Sequence, residues 1–452
     1  MYRSLFVLVF FLSVLLAPAL IGKGAAEEQA KPSPFDWGGD IRLRGVSFDN
    51  IPISADPPGV TRGGKNVFFR GRTRVWGQYT FSDMVLFKAR LVNEFRSYEE
   101  GSGTNTYDFP DEYGFDHLYL DFKNLADGKL DLRIGRQDLM YGNGRVLLDG
   151  TPLDGSRTIY FNAVKASVKW PETVVDLLGI WDKAEDELAI NTQHRDLVGL
   201  VGKYPTDMVE SGGGVYLKNS SIQKMPFEAY YLYKNESDYE YWVPGTDGAP
   251  PTKVVQPDDL NLHTLGVRLM PKFTEFLSGS LEAAGQMGER GPQDVDGWMV
   301  DAKLSHKFVV DTLNPTGSVG LYCLSGDDPN TTDDEGWNPL WARWPQYSEL
   351  YVYAWDADGA GRWSNVTMPY LELDLPVHAK AGFTVLGGYM FAPEKDGPGG
   401  GDERGFLGTC WFKYKLTNIW SGHLLAEFVE PGNYYNVEDT AYFLRAEFMC
   451  NF

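Results

Sequence analysis

Residues 68 to 81 read FFRGRTRVWGQYTF. In an extended chain Phe69, Thr73, Val75, Tyr79 and Phe81 fall on one side, and Arg70, Arg72, Arg74 and Gln78 on the other. A period of two is the signature of a β-strand. A soluble sandwich would turn one apolar face to its core and would have to leave all three arginines to solvent. A strand with lipid on one side and an aqueous interior on the other accommodates both faces.

The next segment repeats the design. In VLFKARLVNEFR, residues 85 to 96, Val85, Phe87, Ala89, Leu91 and Phe95 alternate with Lys88, Arg90, Glu94 and Arg96. The intervening Ser-Asp-Met is short enough to make the two strands a hairpin. Elsewhere the connectors are long, acidic and polar, as in residues 97–114, 236–259 and 325–346. Tight turns alternating with long polar loops are the asymmetry of an outer-membrane barrel, short on the periplasmic side and extended outside. The chain ends TAYFLRAEFMCNF, with Tyr442, Leu444, Ala446, Phe448, Cys450 and Phe452 at every second position. Such an aromatic terminal strand resembles the signal read by the barrel assembly machinery, an expected partner through Phe452.

The other end is consistent. Arg3, the apolar run Leu5 to Leu16 and the small residues near Gly24-Ala25-Ala26 read as a secretory signal peptide, residues 1–26. Residues 27–36 read as a flexible lead-in, and 37–452 as a single transmembrane antiparallel β-barrel of the outer membrane. The apolar run is too short for a retained membrane helix, and no later stretch approaches the roughly 20 apolar residues that one needs.

Net charge is −21, which argues against a nucleic-acid partner. The charge is uneven: Asp40 to Trp170 holds 18 Lys plus Arg against 17 Asp plus Glu, leaving 23 against 45 for the rest. Cys323, Cys410 and Cys450 are too few and scattered for a disulfide framework or a metal site. Six histidines offer no metal spacing, and the acidic 326–336 segment, GDDPNTTDDEG, lacks EF-hand spacing and reads as a solvated loop. No G-x-S-x-G nominates a nucleophile. No enzyme activity, nucleotide, metal or other cofactor is implied.

Four segments together resemble the alginate export porin family: the Arg-rich hairpin, DHLYLDFKNLADGKLDLRIGRQDLMYGNGRVLLDG (116–150), YCLSGDDPNTTDDEGWNPLWARWPQY (322–347) and the aromatic C-terminal strand. The resemblance is dense over residues 40–170. It implies an 18-stranded barrel with a positively charged lumen that passes an anionic polysaccharide. Removing 26 residues leaves 426, about 24 for each of 18 strands with its connector, where ~9–11 residues span the membrane. Sixteen strands fit nearly as well.

The residues expected to line a pore are Arg42, Arg44, Arg70, Arg72, Arg74, Lys88, Arg90, Glu94, Arg96, Asp131, Arg133, Arg136, Gln137, Arg145 and Asp149. Strand rise spaces Arg70, Arg72 and Arg74 by ~6.6–6.8 Å. Guanidinium forks match carboxylates, and interspersed acids keep a passing carboxylate from being trapped. The competing expectation is that these charges pair with one another and stiffen the wall. Trp337, Trp341, Trp344 and Tyr347, with Trp355 nearby, are candidates for stacking on sugar rings or for anchoring a loop edge.

Arg136 poses a specific question. Alternation from Leu130, Leu132 and Ile134 sets it opposite Arg133 and toward lipid, so it belongs near a strand end or on a bulge at Gly135. The sequence therefore predicts a passive outer-membrane channel for an anionic, alginate-like saccharide, monomeric and surrounded by lipid and lipopolysaccharide. Alternatives are a general anion-preferring porin for small solutes and a surface barrel acting as a carbohydrate receptor or adhesin.

Overall fold

The computed structural model describes residues 33–51, 64–101, 114–148, 160–183, 188, 209–237, 239–243, 252–256, 258–310, 313–342, 344–353, 355–356, 359–360 and 363–452. The segment read as a signal peptide, Asp149 and the Trp355 ring lie outside the described residues.

The chain runs through β1 (Phe35–Asp49), β2 (Asn66–Ser82), β3 (Val85–Glu100), β4 (Gly114–Asn124), β5 (Leu130–Gln137), β6 (Phe161–Lys169) and β7 (Thr173–Asp182). It continues through β8 (Glu210–Asn219), β9 (Phe227–Glu236), β10 (Tyr239–Val243), β11 (Thr252–Gln256), β12 (Leu260–Leu269), β13 (Leu277–Arg290), β14 (Gln293–Lys307) and β15 (Thr316–Leu324). The last elements are β16 (Trp355–Asp356), β17 (Gly359–Ala360), β18 (Val366–His378), β19 (Ala381–Phe391), β20 (Glu403–Lys415), β21 (Trp420–Pro431) and β22 (Ala441–Asn451). β10–β11 and β16–β17 are small separate hairpins; the other eighteen form one antiparallel sheet. Pairing of β1 with β22 closes it into a barrel. The expected strand count is 18, and 18 are present. β1 begins at Phe35, inside the stretch read as a lead-in, because the alternation of Phe35 and Trp37 already pairs with Tyr79 and Gly77 of β2.

One barrel end carries tight connections, such as Asp83–Met84 between β2 and β3 and residues 379–380 between β18 and β19. The opposite end carries the long ones, except for the two-residue turn 291–292. Side chains obey the strand period. Phe69, Ile134, Val164, Leu265, Leu371 and Leu444 are exposed on the outer face, while Arg70, Asp121, Tyr216, Asp301 and Arg445 are buried on the inner one. A closed barrel leaves no backbone edge to hydrocarbon, and its apolar exterior removes the cost of the contact with lipid. Trp37, Phe81, Trp170, Phe273, Phe308 and Phe452 are exposed around the tight-turn end, where amphipathic and aromatic rings favour the membrane interface.

The closing seam depends on a glycine. Gly39 exchanges backbone hydrogen bonds with Phe452 (2.8 and 3.0 Å). A Cβ at Gly39 would lie 2.5 Å from the Arg74 carbonyl oxygen and 2.7 Å from the Phe452 ring. Only a residue without a side chain lets the terminal ring lie down against β1.

Candidate functional site

The register determines how the arginine-rich strands meet. Arg42 is opposite Arg72 and Arg44 opposite Arg70 in the β1–β2 pair, and Arg70 is opposite Arg96 in β2–β3. Like charges at directly opposed positions repel unless anions intervene. Three do. Asp40 accepts hydrogen bonds from Arg72 Nη2 and Arg74 Nε, both at 2.7 Å. Glu94 accepts from Arg70 Nε at 2.8 Å and lies 3.8 Å from Arg96 Nε. Glu447 of β22 accepts from Arg44 Nε at 2.5 Å and lies 3.9 Å from Arg42 and 3.2 Å from His423. Arg42, Arg44, Arg70 and Arg72 are buried in this network, so most of its charge acts through its field and not by direct exposure.

The neighbouring charges follow the same logic. Arg90 donates to Asp116 at 2.7 Å; Asp116 is the extra residue where the β3–β4 register shifts. Arg90 Nη2 also reaches Asp138 at 3.4 Å. Lys88 sits 4.7 Å from the Trp76 ring. Arg133 grips Asp121 through both Nε (2.6 Å) and Nη2 (2.8 Å) and lies over the Tyr119 ring. Asp131, at the tight-turn end, pairs with Lys169 and accepts the Asn124 N–H. Gln137 is fully buried and donates to the carbonyls of Gly135 and Ala163.

Arg136 stands apart from the inner wall. It pairs with Leu118 and Asn162 on the face shared with Ile134 and Val164, and β5 runs through Gly135 without a register shift. Expected to line the pore, it lies instead on the outer parity, one residue before β5 ends. There its guanidinium donates to the Phe115 carbonyl (2.9 Å) and Asn162 (3.0 Å) and lies 3.6 Å from the Tyr160 ring. These partners remove much of the ~2–4 kcal/mol that an arginine on the lipid face costs at mid-membrane. Gly135 has φ of +125° and its Cα approaches the Leu118 carbonyl so closely that a side chain would clash.

After β5 the chain turns inward. Gly142 and Gly144 have φ of +56° and +74°, and Gly144 N–H closes a turn onto the Tyr141 carbonyl. The segment 138–148 meets the long connection after β15: Leu147 bridges Trp341, and Trp341 N–H donates to Val146. Both segments are held by inward residues of the wall. Arg145 donates to Asp301 of β14 and to the Tyr347 hydroxyl, with the Tyr322 and Tyr347 rings about 5 Å away. Arg268 reaches Asn143, Lys234 reaches the Leu340 carbonyl, and Gln286 exchanges two hydrogen bonds with Asn338. Glu427 accepts the N–H groups of Glu349 and Leu350 and the Ser348 hydroxyl, while Arg445 pairs with Glu349 at 2.7 Å. Six strands thus hold two loops inside the barrel and narrow it.

Trp337, Trp341 and Trp344 are buried in that inserted segment, and Tyr347 is bonded to Asp301 and Tyr370. Their rings pack the constriction. The acidic segment beyond it is organised locally: Asp328 accepts from the N–H and side-chain amide of Asn330, which holds its carboxyl below the usual carboxylate range. Among the described residues no three His, Cys, Asp or Glu side chains converge for a metal.

Sequence reasoning missed the inward residues of the later strands: Lys234, Arg268, Gln286, Asp301 and Glu427. The available signal was the same alternation. In TAYFLRAEFMCNF it already sets Arg445 and Glu447 opposite the apolar face.

Solved structures confirm the architecture. A BenF-like porin from Pseudomonas fluorescens Pf-5 aligns with a TM-score of 0.58 at 10% identity, covering 92% of this chain and 98% of the porin. The outer membrane protein opdK from Pseudomonas aeruginosa aligns with a TM-score of 0.56 at 10% identity over 92% and 98%. OccAB4 from Acinetobacter baumannii aligns with a TM-score of 0.53 at 10% identity over 93% and 99%. At such identities the likeness is one of fold. No curated protein sequence matches the chain. Residues 34–384 match the alginate export model, and the chain, an outer-membrane channel protein by fold and family, belongs to the alginate export family.

Proposed function

We propose that the protein lets an anionic, alginate-like polysaccharide or oligosaccharide diffuse through the barrel. The observation that carries this reading is the charge of the β1–β2–β3 wall. There Arg42, Arg44, Arg70, Arg72, Arg74 and Arg96 gather around the carboxylates of Asp40, Glu94 and Glu447. Six guanidiniums concentrated on one inner wall stand out in a protein whose overall charge is −21. A low-dielectric wall concentrates that field in the lumen and raises the local concentration of anions. Carboxylates already seated among the arginines weaken any one site, as transit requires. The proposal involves no catalytic step.

The pinned loops favour a second reading, a general anion-preferring porin, because a narrowed passage suits small solutes. Planar-bilayer recordings separate the two. An acidic oligosaccharide that reduces an anion-selective current, where a neutral one of equal length does not, supports the saccharide channel. Anion selectivity without any saccharide block supports the general porin. Saccharide binding without conductance would instead support a receptor.

A further inference from the structure

The arginines of the β1–β3 wall are 2–4% exposed at positions 42, 44, 70 and 72, whereas three other inward cations are open to the lumen. Their side chains are exposed by 34% for Arg133, 29% for Lys165 and 40% for Lys218. They run from mid-barrel toward the tight turns: Arg133 is the fourth of eight residues in β5, Lys165 the middle residue of β6, and Lys218 stands one residue before the end of β8.

We propose that Lys165 and Lys218, with Arg133 beside them, form a carboxylate-binding subsite below the inserted loops for one acidic sugar of a saccharide. This deepens the proposed function and rests on it.

Two features point to a ligand. First, Arg133 is directly opposite Lys165 in the β5–β6 register, a like-charge juxtaposition that costs stability without an anion between. Arg133 is committed to Asp121, whose two oxygens it takes in a fork, so Asp121 does not serve Lys165. Second, one carboxylate serves both lysines. Lys165 and Lys218 each lie 3.6 Å from Asp176 Oδ2, within ion-pair range but beyond a hydrogen bond. Asp176 is buried and already accepts from Ser167 Oγ at 2.5 Å and Tyr141 OH at 2.9 Å.

Each ammonium has three donors, and Asp176 takes none of them at hydrogen-bond distance. Because both ammoniums approach the same oxygen, they are near enough for the two oxygens of one carboxylate to bridge them. The Tyr141 ring, 5.3 Å from Lys165 and 4.6 Å from Lys218, steadies both cations from above. Tyr141 belongs to the inserted segment, so the subsite lies between the constriction and the tight-turn mouth. Glu228, opposite Lys218, is engaged by Tyr216 and Arg268. A uronate carboxylate fits the gap, and its ring hydroxyls meet the water-filled lumen.

The test is current block by an oligouronate added to either side of a bilayer, comparing the unaltered protein with Lys165→Gln/Lys218→Gln and Lys165→Arg/Lys218→Arg. The expected result is block that is tighter from the tight-turn side and about ten-fold weaker in the glutamine variant, the value of one charge-assisted hydrogen bond. The arginine variant retains it. Open-channel conductance and heat-modifiable gel mobility report folding, and if the double variant fails to insert, each single variant is expected to lose about three-fold. Unchanged block in the glutamine variants overturns the subsite and leaves the proposed function standing. Equal weakening of block by a neutral oligosaccharide also overturns it. Absence of block in the unaltered protein overturns both.

Discussion

Arg145 and Asp301, separated by 156 residues in sequence, are joined by two hydrogen bonds of 2.8 and 2.6 Å inside the barrel. One residue lies on an inserted loop and the other on the wall of β14, so the pair fixes the loop's depth. Arg145→Ala leaves the buried Asp301 carboxylate without its cation, with only the Tyr347 hydroxyl still donating among the bonds described, a change that costs about 3–5 kcal/mol. The expected outcome is release of segment 138–148 and a larger single-channel conductance in planar bilayers. Unchanged conductance would show that the loop is held without this pair.

The second loop hangs on an acceptor. Glu427 receives two backbone N–H groups and the Ser348 hydroxyl, all buried. Glu427→Ala orphans these donors at about 1–3 kcal/mol each. Limited proteolysis is expected to cut near residues 345–353 in the alanine variant while the barrel keeps its heat-modifiable mobility. Glu427→Gln retains one acceptor oxygen and should be cut more slowly.

The wall charges give predictions of opposite sign. Replacing Arg70, Arg72 and Arg74 with Gln removes positive field and should shift the reversal potential in a salt gradient toward cations. Asp40→Asn removes the carboxylate between Arg72 and Arg74 and should shift it toward anions. Arg136→Gln, on the outer parity, should leave selectivity unaltered and lower stability. Equal shifts for Arg136 and the triple variant would contradict the placement of these faces.

The seam is testable by size. Gly39→Leu drives a side chain into the Phe452 ring and the Arg74 carbonyl, and overpacking of this kind costs roughly 1–3 kcal/mol. Reduced yield of the heat-modifiable folded band on gels is expected, with a milder loss for Gly39→Ala.

Much of the barrel was legible because a strand's two faces are written two residues apart. FFRGRTRVWGQYTF and TAYFLRAEFMCNF each reveal lipid and interior sides without further information. The limit appears at Arg136, where alternation gives the face but only the packed neighbours Tyr160, Phe115 and Asn162 explain its tolerance. The inserted loops were less legible, since polar residues that cross a lumen look like polar residues in solvent. Arg145 was singled out, but nothing local to it names Asp301. Exposure was hidden as well: Arg70 and Lys165 are both cations on inward strand positions, and only assembly of the whole barrel buries one and opens the other.

The most direct measurement is flux of a labelled oligouronate into liposomes carrying the protein, against a neutral oligosaccharide of equal length. Passage of an anionic saccharide through the barrel predicts faster uptake of the oligouronate, reduced when Arg70, Arg72 and Arg74 are replaced with Gln. Equal or slower uptake than the neutral sugar, in a protein that conducts ions, would contradict it.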